Sequence, residues 1–120
     1  MPFGEWRRMP ERRIRVVWTQ AASDDLGAIV TYIAQDSPTN ARRFLAKLKK
    51  KADSLKTAAE RGRLVPELSR SGVLAFRELI VKPYRIMYRI NGNGVTVLAV
   101  FDGRRDLEEV LLERLVRHRI

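Results

Sequence analysis

Five arginines carry whatever chemistry this chain has to offer. Arg77, Arg85, Arg89, Arg104 and Arg105 all fall within RELIVKPYRIMYRINGNGVTVLAVFDGRRD, residues 77–106. Arginine is rarely buried without a partner, and its planar guanidinium grips phosphate or carboxylate through two parallel hydrogen bonds. Arg85 and Arg89 share one face of a strand, with Cα atoms about 13 Å apart at ordinary strand rise. Arg77 lies on the strand before, and Arg104 and Arg105 stand at the end of the strand after. All five are expected on one exposed, concave sheet face that suits a nucleic-acid backbone or an acidic peptide. The plainer alternative pairs each arginine with a nearby carboxylate: Glu78, Asp102, Asp106 or Glu108.

The rest of the composition removes other chemistries. Cysteine is absent and His118 is the single histidine. That excludes thiolate and histidine metal sites and a Ser-His-Asp triad. No metal and no cofactor is expected. The lack of cysteine fits a reducing cytoplasm. No apolar run approaches the roughly 18 residues of a membrane-spanning helix, so a membrane role is not expected. The 120 residues predict one domain. Charge is the outlying property: 24 Lys and Arg against 14 Asp and Glu give +10, which favours a polyanionic partner.

The elements that must position the arginines are legible from periodicity. Residues 1–13, MPFGEWRRMPERR, read as a flexible basic arm ahead of a single domain over 14–120; Met9 is an alternative start to Met1. Residues 14–18 form a β-branched strand. Thr19 is a helix N-cap, and Ala22, Leu26, Ile29, Val30 and Ile33 recur at helical spacing to about Gln35. Ser37 and Pro38 open a second helix that runs to about Ala59, completing a helical hairpin. Its Arg42, Arg43, Lys47, Lys49, Lys50, Lys51 and Lys56 form either a solvated face or a polyanion contact, the solvated face being the simpler reading. Residues 61–72 read as a loop. Three strands follow. In the second, Tyr84, Ile86, Tyr88 and Ile90 face the core, and Arg85, Met87 and Arg89 face away. Asn91 to Gly94 predicts a tight hairpin, and Leu107, Val110, Leu111 and Leu115 predict a final amphipathic helix. The expected fold is α+β: an N-terminal strand, a helical hairpin on a small, mostly antiparallel sheet of about four strands, and a C-terminal helix.

The motifs from Val17 to Leu26, Tyr32 to Pro38, RGRLVPEL (61–68), RELIVKPYRIMYRI (77–90) and VFDGRRD (100–106) resemble the RelE/ParE superfamily of bacterial toxins. These are the toxin halves of type II toxin-antitoxin, or plasmid-stabilisation, modules. The resemblance implies a helical hairpin on a small antiparallel sheet, and growth arrest relieved by a cognate antitoxin in a hetero-oligomer. RelE-like members are ribosome-dependent mRNA endonucleases. By that likeness Arg77, Arg85 and Arg105 would be catalytic, with ribosome and message as partners. A second strand lysine of that site is replaced by Leu79, and its tyrosine by Leu111. ParE-like members instead bind DNA gyrase without catalysis. The wording of residues 77–90 and the long final helix resemble that branch, which is the favoured reading. Arg85, Arg89, Arg104 and Arg105 would then meet target and antitoxin. A degenerate, non-toxic binding domain is the third alternative.

Overall fold

Arg15 and Val17 alternate with Val16 and Trp18 in β1 (Arg15–Trp18), and that alternation decides which side of the sheet receives the helices. The computed structural model describes residues 14–117; the expected basic arm over residues 1–13 and His118 lie outside them. Thr19 ends β1 and caps α1 (Gln20–Asp36), its hydroxyl accepting a hydrogen bond from the Ala22 amide at 3.0 Å. Ser37 does the same for α2 (Pro38–Asp53), accepting from Asn40 at 3.1 Å, with Pro38 in the first turn. The two helices pack side by side.

The second helix stops earlier than its periodicity suggests. At Ser54 the hydroxyl donates to the Lys51 carbonyl at 2.6 Å. The chain continues as two 3-10 turns, Ser54–Lys56 and Ala59–Arg61. The expected loop over residues 61–72 also needs correction. It contains a short strand, β2 (Arg63–Leu64), and a one-turn helix, α3 (Pro66–Ser69). Then come β3 (Phe76–Val81), β4 (Tyr84–Asn91), β5 (Gly94–Asp102) and α4 (Leu107–Arg117).

The sheet therefore has five strands, in the order β1-β5-β4-β3-β2. Only β1 runs parallel to its neighbour, and the other three pairings are antiparallel. Gly92, between β4 and β5, takes φ of 55°, the left-handed conformation that glycine adopts without steric cost. Both sheet faces are covered. On one, α1, α2 and the 3-10 turn after α2 bury Leu79, Val81, Ile86, Tyr88, Val95, Val97 and Val100 against Leu26, Leu48 and Leu55. On the other, α4 and the α3 region bury Met87, Ala99 and Phe101 against Leu107, Val110 and Val65. Pairing between β4 and β5 skips Leu98. This bulge puts both Leu98 and Ala99 on the α4 side. Among the described residues no helix is long and apolar enough to cross a membrane.

Candidate functional site

The site grows out of the corner where β5 hands over to α4. Gly103 donates its amide to the Pro83 carbonyl at 2.7 Å. A Cβ at this position would stand 3.0 Å from both Pro83 O and Arg85 Cγ. The close approach turns the chain sharply and throws Arg104 and Arg105 outward. Arg104 binds Asp102 through Nε at 2.9 Å and Nη2 at 2.5 Å, and this bonding holds the Asp102 carboxyl at a pKa of about 2. Arg105 donates to Glu113 of α4 at 2.6 Å. Both arginine side chains remain exposed.

A depression of about 500 Å³ opens beside them, and Tyr32, Tyr84, Asp102, Arg104, Arg105 and Glu113 help to line it. Tyr32 comes from α1, largely exposed, and was not singled out by sequence. Tyr84 was expected wholly in the core. Its ring does pack on Phe44, centroids 5.0 Å apart, yet the residue is half-buried and also borders the depression. Burial, with the Asp102 charge, pushes its hydroxyl pKa up, so the hydroxyl keeps its proton.

Arg85 does not stand on an exposed face. It is 6% exposed and lies under α3. Nη1 and Nη2 each reach Glu67 at 2.8 Å, and Nε reaches Glu78 at 2.7 Å. Its guanidinium also sits 5.0 Å from the Phe101 ring centre. Glu78 is 1% exposed and takes a second cation, Arg63, at 2.7 Å. Two arginines and two glutamates thus form a neutral quartet. The bonds to Arg85 hold the Glu67 carboxyl at about 2, and the two carboxylates raise the Arg85 pKa. The plainer sequence alternative holds for this arginine, with Glu67 as a partner it did not name. The short helix beginning at Pro66 is what delivers Glu67.

Arg77 fails to join the set as well. It lies on the helical-hairpin side, opposite Tyr88 across the β3–β4 pair, and donates to the Gly62 carbonyl at 2.8 Å. The expected convergence of all five arginines on one face is therefore corrected. Arg89 is exposed on the α4 side of the sheet, 6.0 Å from the Phe76 ring centre, toward the opposite end of β4 from Arg85. Leu79 is buried in the core, and Leu111, on α4, packs against the cluster around Met87, Ala99 and Val110. Among the described residues no group of three His, Cys, Asp or Glu side chains could hold a metal ion.

A family model described as the ParE toxin of the type II toxin-antitoxin system, parDE, matches residues 16–107. Toxin RelE2 of Caulobacter vibrioides is 41% identical over 87 residues, covering 72% of this chain and 91% of that protein. Among solved structures, a chain of the chromosomal ParDE TA system from P. aeruginosa superposes with a TM-score of 0.61. It is 23% identical, and the match covers 76% of this chain and 97% of that one. A chain of the toxin-antitoxin complex RelBE2 from Mycobacterium tuberculosis gives 0.56 at 23% identity, covering 78% and 94%. The fold is that of these toxins. The chain belongs to the ParE family of type II toxin-antitoxin toxins, within the RelE/ParE superfamily.

Proposed function

We propose that this toxin arrests growth by binding DNA gyrase rather than by cutting message, and that a cognate antitoxin neutralises it within a hetero-oligomer. One observation carries the first half: the cations of the nuclease reading are dispersed. Arg77 faces the helical hairpin, Arg85 is neutralised beneath α3, and Arg105 alone is exposed. Stabilising a pentavalent phosphate needs charge aimed at one point. A binding surface has no such requirement. Exposed Arg89, Arg104 and Arg105 are its contact arginines, and Arg85 packs beneath the Gly103 turn that carries Arg104 and Arg105. The antitoxin partner is supported by the family and by the two solved relatives, described as a ParDE system and a RelBE2 complex.

A supercoiling assay with purified gyrase tests the reading. Inhibition that weakens in Arg104→Glu/Arg105→Glu supports it, and no inhibition at micromolar toxin overturns it. A ribosome-dependent nuclease is the second reading, favoured by Tyr84 bordering the same depression as Arg104 and Arg105. Codon-position cuts in primer extension on translating message, lost in Arg105→Ala, would establish it instead. Unimpeded growth on induction would indicate a degenerate copy.

A further inference from the structure

The outer face of α2 carries charge that the proposed function leaves unused. Arg42, Arg43, Lys47, Lys49 and Lys50 are exposed, and at 100° per residue they fall within an arc of about 160°. The helix has one carboxylate, Asp53, which stands 3.7 Å from Lys56. Among the described residues no ion pair engages any of those five cations. The folded chain also extends the strip. Lys51 lines one shallow depression together with Arg61 and Arg63 beside β2. Arg63 keeps 59% of its side chain exposed while bound to Glu78. Sequence separation hides that juxtaposition.

The chemistry of the strip selects its partner. Among the described residues the large exposed hydrophobics lie on β1, α1, the α3–β3 loop and α4, and none on α2. Protein interfaces depend on apolar and aromatic anchors at their centre. A sugar-phosphate backbone asks only for cations spaced along a line, and rewards them with counterion release. The strip offers the second kind of match. Arg43 to Lys50 spans about 10 Å at helical rise, enough to meet neighbouring phosphates.

We propose that Arg42, Arg43, Lys47, Lys50, Lys51 and Arg61 form a docking surface for the phosphodiester backbone of nucleic acid, without base readout. This surface is separate from the depression at Arg104 and Arg105, and the inference holds whichever target the toxin arrests. It would concentrate the toxin on any target that carries DNA or RNA.

Fluorescence anisotropy with a labelled duplex DNA of arbitrary sequence, and in a parallel arm a labelled single-stranded RNA, tests this. If about four phosphates are engaged, affinity falls about 100-fold between 50 and 200 mM salt. Arg43→Glu/Lys47→Glu/Lys50→Glu should weaken binding at least about 10-fold at low salt and flatten the log–log salt slope by about 2.7 for the duplex or about 2.1 for the single strand. Arg104→Glu/Arg105→Glu should keep the full slope. Binding in either arm with this pattern supports the proposal and names the nucleic acid. The proposal is overturned by no binding at 50 mM salt or by an unchanged slope in the triple variant. It is overturned equally if that variant, native by circular dichroism, loses affinity for a polyglutamate peptide alone.

Discussion

Glu78 is the residue on which the α4 side of the sheet depends. It is fully buried and accepts from both Arg85 and Arg63. Glu78→Gln keeps the shape but leaves two cations short of one negative charge in a dry setting. Removing one partner of a buried pair costs about 3–5 kcal/mol, and urea unfolding should register a loss of that size. Glu67 gives a pH signature. Its folded pKa of about 2 lies below the ordinary 4.5. The stability it contributes is thus complete above about pH 4.5 and is lost as pH falls toward 2. Acid unfolding of Glu67→Gln should lack that segment of the curve. Tyr88 makes a third case. Its hydroxyl donates to the Ala59 carbonyl at 2.7 Å and accepts from the Gly62 amide at 2.9 Å. Tyr88→Phe orphans both groups and should cost about 1–3 kcal/mol. At Gly62 itself a Cβ would stand 2.6 Å from the Glu78 carbonyl oxygen, so Gly62→Ala is expected to unfold the chain more readily than Tyr88→Phe does.

Elements were more legible than faces. Both helix starts followed from Thr19 and Ser37, because a hydroxyl before an apolar period satisfies free amides whatever the tertiary setting. β3 and β4 followed from alternation, and β5 from its near-continuous apolar run after the Asn-Gly turn. Arg77 was misplaced because alternation within a strand says nothing about its neighbour. The missing constraint was present in Lys82-Pro83: a two-residue connection pairs odd positions of one strand with even positions of the next, which puts Arg77 beside Tyr88 and away from Arg85. Burial of Arg85 was beyond reach by this route, since a helix of four residues leaves no periodicity to read. The early stop of α2 was equally hidden, the apolar spacing continuing into Leu55 through a 3-10 turn. At this scale α4 is the testable element. Arg114 ties it to α1 and β5 by donating to Asp25 and to the Leu98 carbonyl. Arg114→Met should raise hydrogen exchange in α4 while leaving β3 and β4 protected.

Across the described residues, net charge and core are kept apart. The quartet around Arg85 is neutral, so among the described residues the excess positive charge lies on surfaces, above all on the α2 strip. That division changes which substitutions probe binding. Arg85→Glu would place a third carboxylate in the quartet and tests folding. Arg104→Glu/Arg105→Glu acts at exposed positions. It should leave the thermal midpoint within a few degrees of the parent while lowering any association rate with an acidic partner, most strongly at low salt.

Asp25 has a consequence for assembly. Parallel pairing with β1 ends at Trp18 and Val97, which leaves the rest of β5 facing outward with backbone groups to spare. The Asp25 carboxylate accepts from the Val100 amide at 3.0 Å, and Arg114 takes the Leu98 carbonyl. Side chains thereby occupy a ladder that a foreign strand would otherwise copy. A segment that seeks to lengthen this sheet is turned toward the outer margin of β1 or the short β2, and the toxin is spared zipping onto its own copies along β5.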